Sequence, residues 1–359
     1  MEKIKVLIAD DSALMRKLLK KIIESDRRFE VIATARDGED AVLKARKVKP
    51  DVITMDVNMP KMDGLTAVQY IVEEKIAPVI VVSSLTQKGS ITAYEALELG
   101  AFDYIGKPEG TVSKNIYSVR DELLKKLLAA YESSRRTTAF EHFTKIKKST
   151  EETPVIKKKT LTKSYSNFDY YAIAIGISTG GPKTIYDVIP LLPSDLNAAV
   201  FLVQHMPPQF TKQYAERLNK YSKMLVVEAE DDMVVEPGVV YVGKGGYHLK
   251  VRKGLNGVKI RLSKVPRHLF MPSVDIMMDS VSNVYKDKTI GVLMTGMGDD
   301  GAEAMKKIKK MGGYTIAESE ETAVVFGMPA EAIKRGGASI VLPSYKIAEE
   351  LIKKADRRR

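Results

Sequence analysis

The 359-residue chain carries 57 Lys+Arg against 46 Asp+Glu, a formal net charge of +11, with 44% apolar and 29% charged residues; that length and balance predict a globular protein of two domains. It has no cysteine, which excludes disulfides, thiolate metal sites and a cysteine nucleophile and makes a reducing, cytoplasmic setting the simplest expectation. No apolar run approaches ~18 residues and the first is broken by Asp10 and Asp11, so neither a membrane span nor a signal peptide is expected.

Residues 1–131 alternate short apolar runs with helical patterns. The runs Ile4–Ala9, Val31–Thr34, Val52–Met55, Val79–Val82 and Phe102–Ile105 are predicted strands. Ser12–Ser25 and Glu39–Val48 are predicted helices between them. This alternation implies βαβ units and a parallel sheet. A last helix is predicted from Ile116, Val119, Leu123, Leu124, Leu127, Leu128 and Tyr131, which share one face at helical spacing.

Polar residues stand where these strands end. Asp10 and Asp11 follow the first, Asp56 and then Asn58 the third, Ser83 and Ser84 the fourth, and Lys107 the fifth, joined to Pro108 through an expected cis bond. Taken singly, each is an ordinary cap or turn residue. Taken together, three carboxylates on one edge repel unless a cation lies among them, and hard oxygen ligands suit Mg²⁺. Asp56 then becomes a candidate nucleophile towards a phosphoryl group, with Lys107 neutralising the added charge and Ser83 donating a hydrogen bond.

These residues, with Tyr104, resemble the receiver domain of two-component response regulators. The resemblance implies a five-stranded flavodoxin-like sheet, Mg²⁺ held at Asp10, Asp11, Asp56 and Asn58, and phosphorylation of Asp56 by a histidine kinase. It also implies a switch in which Ser83 and Tyr104 move together. Receivers more often have threonine where this chain has Ser83.

Residues 132–168 change character, with basic clusters, Ser/Thr runs and no sustained apolar period. A solvated linker is expected there, which sets His142 aside as a catalytic residue. Much of the positive excess lies in this linker and in the tail 353–359, so the net charge is not read as a nucleic-acid site.

Residues 169–352 alternate again. Strands are predicted at Ala172–Ile177, Ala198–Val203, Met224–Glu228, Val239–Val242, Thr289–Met294, Tyr314–Ala317 and Ser339–Leu342. Helices are predicted at Lys183–Leu192, Phe210–Tyr221, Ala302–Met311 and Pro329–Arg335. Glycine turns at 243–246 and 254–257 predict antiparallel pairing across Val239–Leu262. The expected class is therefore α/β throughout: a flavodoxin-like unit, then a doubly wound, mainly parallel unit with a β-hairpin region.

Gly176-Ile177-Ser178-Thr179-Gly180 fits the G-x-S-x-G turn that exposes a serine at a strand end. A glycine-rich turn before a helix suits phosphate equally well. His205, His248 and His268 are candidate bases, and Asp299 and Asp300 are candidate orienting acids. Ser178, His205 and the aspartate pair all fall just past predicted strand ends, where such sheets place their ligand crevice. That is a Ser-His-Asp arrangement with backbone N–H groups near Thr179, Gly180 and Met297 available as an oxyanion hole. The order Ser, His, Asp differs from the Ser, acid, His order of α/β-hydrolases.

The segments ISTGGP, QHMPPQFT, PSVDIMMDS, TGMGDDGA and VFGMPAEAI resemble the chemotaxis methylesterase (CheB) family, and with the receiver the resemblance spans essentially the whole chain. It implies Ser178 as nucleophile, His205 as base and Asp300 as orienting acid, although Asp299 stands where relatives often have asparagine. It implies cofactor-free hydrolysis of glutamate γ-methyl esters, and deamidation of certain glutamines, on methyl-accepting chemoreceptors. The implied phosphodonor is the chemotaxis histidine kinase CheA, and the protein acts at receptor arrays without inserting in the membrane. An unphosphorylated receiver covering the Ser178 edge is the expected control. The rival outputs are DNA binding, which needs a recognition helix, a dinucleotide site, which needs G-x-G-x-x-G spacing, and non-catalytic docking on receptors.

Overall fold

The structure, a computed structural model, describes residues 2–84, 95–107, 119–135, 170–255 and 257–355. The expected cis bond before Pro108, Ile116, most of the expected linker with His142, and residues 356–359 lie outside the described residues. The chain divides into two compact units, residues 1–144 and 145–359.

In the first unit, β1 (Ile4–Ala9), β2 (Phe29–Ala35), β3 (Val52–Met55), β4 (Val79–Ser84) and β5 (Asp103–Lys107) form one sheet in the order β2-β1-β3-β4-β5. Every pair is parallel, the flavodoxin-like order. β3 is buried at all four residues, as a strand covered on both faces must be. Helices α1 (Ala13–Glu24), α2 (Gly38–Val48) and α3 (Gly64–Glu73) start where Ser12, Asp37 and Asp63 accept a first-turn N–H. Helix α4 (Arg120–Arg135) runs past the expected boundary at 131 and packs Leu123, Leu124, Leu127 and Ala130 against Val6, Val52 and Ile80.

The second unit has a seven-stranded sheet in the order β14-β13-β12-β6-β7-β9-β8. Its strands are β6 (Tyr171–Ile177), β7 (Ala198–Gln204), β8 (Leu225–Glu228), β9 (Val239–Val242), β12 (Thr289–Leu293), β13 (Tyr314–Glu318) and β14 (Ile340–Leu342), all parallel. The expected antiparallel region is narrower than Val239–Leu262. Only β10 (His248–Gly254) and β11 (Gly257–Ser263) form the hairpin. β9 sits inside the parallel sheet because all four of its residues are apolar and buried, a run that has no solvent face to offer a hairpin.

The expected helix Lys183–Leu192 is also shorter. Helix α5 spans Gly181–Thr184, and 3₁₀ turns follow at Ile185–Asp187 and Ile189–Leu191. Pro190 lacks the N–H that a continued α-helix would use there. The remaining helices are α6 (Pro208–Tyr221), α7 (Val274–Tyr285), α8 (Ala302–Lys310), α9 (Met328–Lys334) and α10 (Ser344–Ala355); α7 and α10 add to the expected set. α7 packs Val274, Met277, Met278 and Val281 into the core with Phe201 and Leu293. That contact is what positions the site.

Candidate active site

Strands β12, β6 and β7 are neighbours, and each delivers one polar residue past its C-terminal end. Ser178 follows β6 and donates its backbone N–H to Thr295 O at 2.9 Å. His205 follows β7 and donates its own to Ile177 O at 3.1 Å. Asp300 follows β12 through the turn 294–301. The order β12-β6-β7 places the crevice where the chain reverses direction across the sheet.

The side chains form one chain of contacts. His205 Nδ1 lies 3.1 Å from Ser178 Oγ and His205 Nε2 lies 2.8 Å from Asp300 Oδ2. An ionised carboxylate only accepts, so Nε2 carries the proton and Nδ1 is left to accept from the Ser178 hydroxyl. The ring is turned over relative to the usual serine-protease arrangement, in which Nε2 faces the serine. Phe270 stacks on the imidazole with centroids 4.2 Å apart and planes 7° apart.

Asp300 is 4% exposed. Burial alone would raise its carboxyl, but the His205 hydrogen bond and backbone donors overcome this and hold it at about 2. Val274 N–H donates to Oδ2 at 2.7 Å, Asp275 N–H to Oδ1 at 2.9 Å and Ser273 Oγ–H to Oδ1 at 2.8 Å. The acid therefore sits on the N-terminus of α7, which Ser273 caps and where orphan N–H groups and the helix dipole favour a negative charge. Close approach is possible because residue 301 is glycine: a Cβ there would lie 2.6 Å from Val274 Cγ1.

Asp299 is exposed and pairs with Arg335 at 2.6 Å, away from the imidazole. His248 is fully buried and its hydrogen bonds are internal: Nε2–H donates to Pro266 O at 2.8 Å and Nδ1 accepts from Ser273 N–H at 3.3 Å. His268 is exposed and accepts from Phe270 N–H at 3.2 Å. Of the candidate bases, His205 alone among the described residues contacts Ser178.

The serine turn is braced from below. Gly180 has φ +80, and a Cβ there would lie 2.5 Å from Val324 Cβ. Gln204 Nε2–H donates to Ser178 O at 2.9 Å and Thr295 Oγ1–H to Thr179 O at 2.9 Å. Thr295 N–H in turn donates to Glu318 Oε2 at 2.7 Å. Thr179 is buried and Met297 half-buried beside this turn. Sequence reasoning missed Phe270, Ser273, Gln204 and Glu318. Only Ser273 had a local signal, the helix-capping pattern Ser273-Val274-Asp275.

In the first unit, carboxylate oxygens of Asp10, Asp11 and Asp56 lie within 4.8 Å of one another. Lys107 Nζ lies 2.8 Å from Asp10 Oδ2 and 2.9 Å from Asp56 Oδ2. Burial raises the Asp56 carboxyl, with Lys107 opposing it. Asn58 lies in the exposed loop two residues on, and Ser83 is 2% exposed at the end of β4. Tyr104 lies on β5, with Lys126 Nζ 5.1 Å above its ring.

Residues 6–114 match the response regulator receiver domain and residues 173–351 the CheB methylesterase domain. The molecule thus joins a response-regulator receiver to a methylesterase-type α/β domain. It is 57% identical over 357 residues to protein-glutamate methylesterase/protein-glutamine glutaminase 3 of Syntrophomonas wolfei, covering 99% of this chain and 100% of that protein. It is 46% identical to the corresponding protein of Archaeoglobus fulgidus, covering 97% of each. The crystal structure of the Thermotoga maritima CheB methylesterase catalytic domain, 45% identical, superposes with a TM-score of 0.50 over 51% of this chain and 98% of that one. The chain belongs to the protein-glutamate methylesterase/protein-glutamine glutaminase family.

Proposed function

We propose that the chain hydrolyses glutamate γ-methyl esters, and deamidates the corresponding glutamines, on cytoplasmic helices of methyl-accepting chemoreceptors, under control of phosphorylation at Asp56. The observation that carries the chemistry is the continuous Ser178–His205–Asp300 contact, 3.1 and 2.8 Å, across three adjacent strand ends. Ser178 Oγ attacks the γ-carbonyl while its proton passes to His205 Nδ1. Asp300 accepts the Nε2–H bond and stabilises the imidazolium that forms. Backbone N–H groups at Thr179, Gly180 and Met297 receive the developing oxyanion, each such donor being worth about 2.7–4 kcal/mol. His205 returns the proton to the leaving methanol or ammonia. Water then attacks the glutamyl ester of Ser178, assisted by the same imidazole, and leaves glutamate.

The control lies in the receiver. Asp56 is the acceptor of a phosphoryl group from the chemotaxis kinase, with Lys107 and Ser83 meeting its oxygens and Tyr104 moving with Ser83. The spacing of Asp10, Asp11 and Asp56 fits a hard cation, so these three, with Asn58, would hold Mg²⁺, which supplies charge neutralisation during transfer. Phosphorylation adds a charge of about −1.5 to −2 at neutral pH. Among the described residues no helix is long and apolar enough to cross a membrane, consistent with an enzyme that meets its membrane-bound substrate from outside the bilayer.

The test is methanol release from methylated receptor membranes by the intact chain, with and without a small phosphodonor and Mg²⁺. Release, faster with the phosphodonor, is expected. No methanol under either condition would sink the proposal.

A further inference from the structure

Beside His205 the loop 264–269 presents six consecutive exposed residues. Val265 is 66% and Leu269 86% exposed, although both are aliphatic. The loop is nevertheless tied down at both ends. Val265 O accepts from Lys250 Nζ at 3.0 Å and from Ser263 Oγ–H at 2.9 Å, and Pro266 O accepts from buried His248. At the other end Phe270 lies flat on the His205 ring. An exposed apolar pair on an anchored loop loses little conformational freedom when covered, which is what favours binding there.

Charge indicates what covers it. Residues 258–274 contain Lys259, Arg261, Lys264 and Arg267 and no acid. Lys259 and Arg261 pair with Asp232 and Asp231, and Lys264 lies 4.9 Å from the Tyr247 ring centroid. Arg267 makes no ion pair among the described residues. Each turnover of the proposed reaction leaves a carboxylate on the substrate, so a helix with more than one such site presents acidic groups beside the ester being cleaved. The exposed apolar groups are aliphatic, which suits a helix stripe.

We propose that the loop 264–269 is the docking surface for the substrate helix: an acidic amphipathic α-helix whose apolar stripe covers Val265 and Leu269 and whose carboxylates meet Arg267. This rests on the esterase reading above and extends it to how the substrate is held. Phe270 links the docked helix directly to the imidazole, placing the ester over Ser178.

The intact chain is assayed on two substrates, methylated receptor membranes and N-acetyl-glutamate γ-methyl ester amide. Val265→Ser with Leu269→Ser is expected to lower kcat/KM on receptor about tenfold, through KM, since it removes the apolar area that two aliphatic side chains would bury. The small ester is expected to be cleaved unchanged. Leu269→Gln alone, a change at a solvent-exposed position, should shift KM in the same direction. Arg267→Glu should raise the receptor KM and weaken its dependence on salt. Unchanged receptor kinetics overturn the proposal. So does an equal fall on both esters, which would place the loop's effect on His205 itself, or an effect confined to dimerisation in sedimentation, which would assign the loop to a second copy of the chain. Failure of the unaltered chain on both esters overturns the esterase reading along with it.

Discussion

Asp299 and Asp300 are adjacent in sequence and opposite in environment: one is exposed on Arg335, the other buried against His205. Asp300 takes three donors besides the imidazole, from Ser273, Val274 and Asp275. An asparagine would set its NH₂ against at least one of them and free the imidazole to take the wrong tautomer. Asp300→Asn is expected to lower kcat by about 10⁴-fold, read as methanol release. Ser178→Ala should remove at least about 10³-fold of the rate while receptor co-sedimentation persists; surviving hydrolysis would mean another nucleophile. Asp300 also links stability to pH. Its folded value is about 2 against an ordinary 3.8, so its contribution is present above pH ~4 and is lost as pH falls through about 2, on the order of 2 kcal/mol. Acid unfolding of Asp300→Asn should lack that component.

The element that most constrains the site is the turn after β6. Gly180 combines positive φ with contact against Val324, so Gly180→Ala is expected to cost about 1–3 kcal/mol and to displace Ser178, lowering both the thermal midpoint and kcat. Beneath the turn, Glu318 at the end of β13 holds Thr295 N–H, and Thr322 Oγ1–H donates to it at 2.8 Å. Full burial pushes Glu318 up to about 7 from an ordinary 4.5, with the Thr295 and Thr322 hydrogen bonds opposing it. A raised folded value means stability that is complete below pH ~4.5 and lost as pH rises through about 7. Glu318→Gln mimics the protonated form, so its denaturant midpoint should fall less than that of the unaltered chain between pH 5 and pH 8. Parallel curves would show that Glu318 does not titrate in this range.

For the molecule as a whole, the proposed function assigns phosphorylation to one unit and ester hydrolysis to the other. The control is expected to fail without harm to the esterase when Asp56 is replaced by Asn: basal methanol release persists and the phosphodonor response disappears. Chelating Mg²⁺ should reproduce that phenotype, since the acidic cluster of Asp10, Asp11 and Asp56 then lacks the ion its geometry fits. A phosphodonor response that survives both treatments would place control outside Asp56.

Local pattern suffices for the alternation of strand and helix, the mainly parallel character of both sheets and the residues at the strand ends. Strand-end position is set by local pattern, so Ser178, His205 and the aspartate pair are legible as one edge from sequence. Local pattern also misled where tertiary burial decides: Val239–Val242 belongs to the sheet because both its faces are covered, and the helix after Ser178 stops early at a proline-interrupted turn. Spacing alone leaves Asp299 and Asp300 and the three histidines open, and the family resemblance points to His205 and Asp300; the tertiary structure supplies the contacts, with Asp300 on the imidazole and Asp299 on Arg335, turns Nδ1 towards Ser178, and brings Phe270 and the capped end of α7 to the site. Those are contacts between residues as far as 95 apart in the chain, where the deciding quantities are burial and donor geometry, neither of which a local window of sequence contains.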